Sequence, residues 1–290
     1  MHKRTLDVGR LPGNLVQAYS ENRCALFVGA GASQAAGYPG WSDFLSILID
    51  RCVGENRLTD GDAEGYRALV GEAGKQLSLA SALKDKLGDV WDQIISEMFY
   101  DDPKQPADVH KLLPELGKLS MVITTNYDTL LEDTYGKAWD RRPSVLTFRD
   151  GGEMRRLMLQ RKFFILKEHG DAAKPGNGII LTTSDYRQLS RGRAYQSLLA
   201  SIFTLNTVFF VGVSLNDPEL MVLLDYLADT FEPGARPIHY ALIAEDEINP
   251  VEQERWLKDY LVQIIPISSE NNFAEVPGAI EALLQRSQEG

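Results

Sequence analysis

Leu26-Phe27-Val28-Gly29-Ala30-Gly31-Ala32-Ser33 is the stretch on which the fold of this chain turns. Three apolar residues follow a charged segment and read as a buried parallel strand at about 25–29. A turn of small residues comes next, and then a helix start. Small residues let a backbone approach a pyrophosphate, and N–H groups at a helix start favour negative charge. The dinucleotide fingerprint G-x-G-x-x-G is incomplete, because its third glycine falls on Gln34 and the next glycine is Gly37. No G-K-[ST] follows, so the turn is not a P-loop. Taken alone, it fits a phosphate cradle and a ligand-free strand-to-helix turn equally well.

Outward from this strand, residues 11–21 read as a short helix on one side. On the other, Ser42 reads as the N-cap of a helix whose Phe44, Leu45, Leu48, Ile49 and Cys52 recur at helical spacing. Residues 54–115 are mostly helical in pattern and read as a helical insertion or subdomain. Within them His110 lies on an apolar face and reads as a packed, hydrogen-bonded histidine. A second strand, Met121-Val122-Ile123-Thr124-Thr125, runs into Asn126-Tyr127-Asp128. Polar side chains there stand either in the crevice where open α/β sheets bind ligands or as caps of the next helix. Residues 136–160 carry loop signals and no clear element. Phe163-Phe164-Ile165-Leu166-Lys167 is a third strand and ends in Glu168-His169-Gly170-Asp171. His169 is expected to be exposed there, with room for a ligand, and is the best acid/base candidate of the four histidines.

Residues 179–182 suggest a short strand, and helices run on to about 206. Thr207-Val208-Phe209-Phe210-Val211 leads into Gly212-Val213-Ser214, and Asp217-Pro218 opens another helix. Strands at 238–244 and 261–267 and helices near 250–260 and 274–286 complete the chain. Strands alternating with helices make an α/β fold, a Rossmann-like doubly wound parallel sheet, read as a single domain over 1–290 with the helical insertion at 54–115.

Composition bounds the function. The chain has 290 residues, 44% hydrophobic and 24% charged, which is ordinary for a globular protein. Its net charge of −11 argues against direct nucleic-acid binding, which needs a basic surface. Cys24 and Cys52 form no C-x-x-C pair and no zinc set, so no metal is expected, and a reducing cytoplasm fits. The basic start, Met1-His2-Lys3-Arg4, is followed by no apolar leader, and no run is long enough to span a membrane.

The motifs fall in a specific order: Gly29-Ala30-Gly31-Ala32-Ser33, then Thr125-Asn126-Tyr127-Asp128, then His169-Gly170, then Gly212-Val213-Ser214. That order resembles the sirtuin family, with its G-A-G-x-S, T-x-N-x-D, H-G and G-x-S motifs, over roughly 22–270. The resemblance implies an NAD-binding Rossmann-like fold. It implies that Asn126 and Asp128 line the nicotinamide and ribose pocket and that His169 is the catalytic base. It assigns Gly29, Ala30, Gly31, Ser33, Gly212 and Ser214 to cofactor binding. The departures narrow it further. The four zinc cysteines of the lysine deacylases are missing. Gly37-Tyr38-Pro39-Gly40-Trp41-Ser42 stands where their G-I-P-D-F-R loop would be, and no acyl-lysine strand follows His169-Gly170.

The chain therefore looks like the zinc-lacking, sirtuin-like NAD hydrolases of bacterial antiphage defence. The resemblance implies an NAD+ glycohydrolase that yields nicotinamide and ADP-ribose, with NAD as substrate. An NAD-dependent protein deacylase and a non-catalytic NAD or ADP-ribose sensing module are the alternatives. It also implies a cytoplasmic homo-oligomer or a subunit working with a separate partner such as a HerA-type ATPase. Gating by assembly is expected, with residues 171–178 as a mobile element.

Overall fold

The computed structural model describes residues 11–72, 74–215, 217–232, 238–273 and 275–289. The basic start and His2 lie outside the described residues. Among these residues the strands are β1 (Cys24–Val28), β2 (Leu119–Thr124), β3 (Ser144–Thr147), β4 (Phe164–Lys167), β5 (Thr207–Val211), β6 (His239–Ala244) and β7 (Val262–Ile267). They form one parallel sheet in the order β3-β4-β2-β1-β5-β6-β7. The chain builds outward from β1 through β2, then crosses back to lay β5 on the other side of β1. The sheet is doubly wound, and its switch point lies between β1 and β5.

Period-two alternation explains why both faces of the sheet are covered. Cys24, Leu26 and Val28 face one apolar layer, and Ala25 and Phe27 face the other. All five residues of β1 are buried, as a central parallel strand requires. The first layer is closed by helices α1 (Gly13–Ser20), α7 (Asp108–Leu112), α8 (Leu130–Ala138) and α15 (Glu275–Glu289). The second is closed by α9 (Gly151–Leu159), α10 (Thr183–Arg191), α11 (Arg193–Leu205), α12 (Pro218–Thr230) and α13 (Pro250–Tyr260). Short α2 (Ala30–Gln34) follows β1, and short α14 (Glu270–Phe273) precedes α15.

The helical unit between β1 and β2 packs its own core. It comprises α3 (Trp41–Gly54), α4 (Asp60–Val70), α5 (Gln76–Leu87) and α6 (Trp91–Ser96). Its apolar cluster starts at Tyr38, includes Phe44 and Leu48 of α3, and reaches Phe99. The packed unit thus begins earlier than residue 54, while Val109 and Leu113 beyond it belong to the sheet's core. Ser42 lies in the first turn of α3, whose N-cap is Gly40.

Three further readings change. Residues 136–160 hold the end of α8, the edge strand β3 and α9. Residues 179–182 form no strand: Ile179, Ile180 and Leu181 are buried between two cores with no neighbouring strand to pair with. His110 is fully buried as expected, but neither ring nitrogen has a hydrogen-bond partner. Among the described residues no helix is long and apolar enough to cross a membrane.

Candidate active site

The carboxyl ends of β1, β2, β4 and β5 open into one cleft of about 1340 Å³, above the few hundred Å³ typical of a small-molecule pocket and large enough for a dinucleotide. Gly29, Ala30, Gly31, Ser33, Asn126, Asp128, His169, Gly212 and Ser214 all line it. The residues singled out in the sequence, spread over nearly two hundred positions, therefore meet at the switch point.

The glycines act first on each other. Gly29 N–H donates to Val211 O at 2.9 Å and Gly31 N–H to Gly212 O at 2.9 Å. These two N–H groups lock the turns after β1 and β5 together and are occupied within the protein. A Cβ on Gly29 would overlap the Gly212 carbonyl oxygen. Gly212 has φ +66°, and its added Cβ would lie 2.7 Å from Ala32 N. Close backbone approach across the switch point explains why small residues stand at both turns.

Asn126 and Asp128 are organised around Ser33. Asn126 Nδ2 donates to Gly29 O at 3.0 Å and to Ser33 Oγ at 2.8 Å. Ser33 Oγ donates to Asp128 Oδ2 at 2.6 Å, and Asp128 Oδ1 accepts from Leu130 N–H at 3.0 Å. Asp128 thus holds the first N–H of α8, whose N-cap residue is Thr129, whereas Asn126 spans from β2 to the β1 turn. With Nδ2 held twice, the direction of the amide is set. Its Oδ1 is buried and has no hydrogen-bond partner in the protein, in a residue that lines the cleft. An unsatisfied buried acceptor costs about 1–3 kcal/mol, which a ligand donor would recover.

His169 is 5% exposed, so it is not the open side chain the sequence suggests; it is packed into the cleft wall. Its ring meets Tyr186 edge-on at 5.3 Å, and Nε2 lies 3.4 Å from Asp217 Oδ2. Burial pulls its pKa below the ordinary imidazole value, and the Asp217 charge opposes that only in part. The ring is neutral at neutral pH and able to accept a proton. The segment after it is pinned: Ala172 N–H donates to Tyr127 O at 3.0 Å, Ile180 N–H to His169 O at 2.9 Å, and Ala172 is fully buried in the helical unit. These bonds run against the expectation that 171–178 is mobile.

Two groups escaped the sequence reading. Lys167, fully buried, donates to Tyr127 O at 2.9 Å, Asp128 O at 2.7 Å, Glu132 Oε1 at 3.1 Å and Asp171 Oδ1 at 2.8 Å. Burial disfavours its charge, but Glu132, Asp171 and Asp128 outweigh that and leave its pKa raised. The signal was a lysine closing an otherwise apolar strand, since a lysine buried there needs partners. Glu168, also buried, accepts from Tyr195 OH at 2.8 Å. Burial and then repulsion from Asp217 push its carboxyl up to about 8, against the pull of the Tyr195 hydroxyl.

Glu168 is therefore protonated at neutral pH. A raised folded-state pKa stabilises the fold fully below the unfolded value of 4.5, and that contribution fades as pH rises toward 8. Glu168→Gln, which keeps a neutral side chain of the same shape, should remove this fading. Its stability relative to wild type should grow by a few kcal/mol between about pH 5 and about pH 9, measured by urea denaturation at both. A pH-independent difference would contradict the assignment.

Cys24 and Cys52 sit far apart in sequence in β1 and α3, and burial raises their thiols to about 12 and about 11. Among the described residues no three His, Cys, Asp or Glu side chains cluster as metal ligands would.

A doubly wound parallel sheet with an amide, a carboxylate and an imidazole converging at its switch point defines an α/β protein of Rossmann-like architecture. More particularly, a family model described as a SIR2-like domain matches residues 120–265, half of the chain, and the chain belongs to that family. It is 27% identical to the NAD(+) hydrolase ThsA of Acinetobacter baumannii over 95% of this chain and 55% of that protein. It is 25% identical to the NAD(+) hydrolase ThsA of Bacillus cereus over 90% of this chain and 54% of that protein. To defense-associated sirtuin 2 of Bacillus subtilis it is 24% identical over 96% of this chain and 28% of that protein. The chain thus spans about half the length of the two hydrolases, and less of the third relative.

Proposed function

We propose that this chain is an NAD+ glycohydrolase that depletes NAD in bacterial antiphage defence. The observation that carries the proposal is the buried, unpartnered Oδ1 of Asn126, held in a fixed direction at the wall of a dinucleotide-sized cleft. The relatives named NAD(+) hydrolase supply the substrate class.

In the proposed reaction the C–N bond between ribose and nicotinamide breaks, and both electrons leave with the nicotinamide nitrogen. Water forms the new bond to the ribose carbon and loses a proton, so that NAD+ and water give nicotinamide, ADP-ribose and H+. The transition state resembles an oxocarbenium ion, as in glycoside cleavage. Nicotinamide is a cationic group in NAD and needs no strong acid to leave. Asn126 Oδ1 accepts a hydrogen bond from the attacking water or a ribose hydroxyl and orients it. Asp128, with Ser33, holds that amide and places negative charge near the developing cation. Neutral His169 takes the proton. Gly29, Ala30, Gly31, Gly212 and Ser214 shape the floor on which the phosphates and adenosine half lie.

His169→Ala should lower NAD cleavage by roughly 10²–10⁴-fold while nucleotide binding persists. Nicotinamide release and NAD loss are measured for wild type and variant, with acyl-peptide turnover run alongside. Full turnover by a folded His169→Ala would remove it from the mechanism, and NAD loss that occurs only when acyl-peptide is present and deacylated would favour the deacylase reading. An always-active NAD hydrolase would drain its own cell, so activity is proposed to depend on self-association or on a separate partner such as a HerA-type ATPase in the cytoplasm. Turnover per chain across dilution, with and without that partner, tests this; a fully active monomer indifferent to both contradicts it.

A further inference from the structure

We infer that Asp217 is the positioning residue for His169: it holds the imidazole with its proton on Nε2, so that Nδ1 carries the lone pair toward the reacting group. The inference rests on the NAD-cleavage reading of this cleft. Asp217 stands in the loop between β5 and α12, far in sequence from His169 at the end of β4. The switch-point topology brings both to the same wall, and with Tyr186 they line the cleft. The carboxylate is fixed from two sides. Its Oδ1 accepts from Leu220 N–H at 3.1 Å at the start of α12, and its Oδ2 accepts from Tyr186 OH at 2.9 Å.

Against that fixed oxygen stands His169 Nε2, at 3.4 Å, buried and without a hydrogen-bond partner. The pair is within reach of a hydrogen bond but not aligned as one, and catalytic hydrogen bonds are often long or poorly aligned before substrate tightens them. Tyr186 serves twice: its hydroxyl orients the carboxylate, and its ring, at 85° to the imidazole, restricts the turning of His169.

The other titratable group beside the histidine does not compete. Glu168 turns its carboxyl to Tyr195 and is neutral at neutral pH, so Asp217 supplies the negative charge that faces the ring. When water gives its proton to Nδ1, the ring becomes an imidazolium, and the Asp217 carboxylate stabilises that cation without itself taking the proton. A carboxylate in this position selects the tautomer and orientation of its histidine.

Asp217→Asn tests the assignment, because it keeps the size of the side chain and an oxygen for Leu220 N–H. Three readouts are taken: kcat and KM for NAD, the acid limb of the pH profile, and the tautomer of His169 by nitrogen NMR of the imidazole. The expected results are a fall in kcat of about 10²-fold or more with KM little changed, an acid limb displaced to lower pH, and loss of the single Nε2–H tautomer. Removal of a carboxylate lowers the pKa of a neighbouring histidine, and a merely structural role of Asp217 would not move that limb.

Tyr186→Phe, which keeps the carboxylate but removes the hydroxyl that orients it, should give a smaller loss of kcat and a weaker shift of the tautomer balance in the same direction, and it carries the test should Asp217→Asn fail to fold. An unchanged tautomer in either folded variant overturns the inference, as does an unchanged acid limb in Asp217→Asn. If wild type shows no NAD turnover at all, the function reading fails, and the tautomer measurement still decides the pairing.

Discussion

Asn126→Ala is expected to lower kcat for NAD cleavage by roughly 10²–10³-fold, the scale seen when one fixed polar group is removed from an active site. The amide is bonded at Nδ2 to Gly29 O and Ser33 Oγ, so its Oδ1 has one orientation before substrate arrives. Preorganisation of that kind is felt in the transition state more than in binding, and KM should change far less than kcat. Truncation also strips Ser33 Oγ of one donor and leaves its bond to Asp128 as the remaining link across the cleft floor. A modest loss of stability, about 1–2 kcal/mol, should accompany the kinetic effect. Steady-state nicotinamide release over a range of NAD concentrations, on protein shown to be folded by its melting curve, measures both. A rise in KM with kcat preserved would mean that Asn126 only binds.

The largest effect on stability is expected at Lys167. Lys167→Met removes the charge that Glu132 and Asp171 surround, and it frees the carbonyls of Tyr127 and Asp128. Breaking one side of a buried ion pair costs about 3–5 kcal/mol, because the remaining charge is left without compensation. Glu132 is the worst placed, since burial already raises its pKa and its Oε2 has no partner. The double variant Lys167→Met/Glu132→Gln should therefore regain part of the loss. Urea denaturation of the wild type and both variants measures this, and a loss below about 1 kcal/mol in the single variant would contradict the network's role. NAD turnover should fall as well, because Lys167 holds the backbone on which Asn126 and Asp128 are carried.

The strands of the sheet's centre were legible as local patterns. Leu26-Phe27-Val28, Val122-Ile123 and Phe209-Phe210-Val211 are short apolar runs, and a parallel strand buried on both faces leaves that trace in the chain itself. The edge strand β3 left none, because Ser144 and Thr147 are polar, and of its four residues Leu146 alone is buried. Residues 179–182 misled for the converse reason: apolar residues mark burial, and burial does not require a ladder.

The motif order, with the resemblance it carries, picked out Gly29, Ala30, Gly31, Ser33, Asn126, Asp128, His169, Gly212 and Ser214, which share one cleft, but not Asp217 and Tyr186, which line it beside His169. What each side chain does there was decided by partners distant in the chain. Ser33 is held by residues 93 and 95 positions away. His169 is buried by Tyr186 and Asp217, and Lys167 keeps its charge because two carboxylates and two carbonyls converge on it. Apolar burial is written residue by residue, since each side chain carries its own transfer free energy into any core. Hydrogen-bond satisfaction and protonation are properties of pairs, and the pairs exist only once the sheet order has set β5 beside β1 and β4 beside β2.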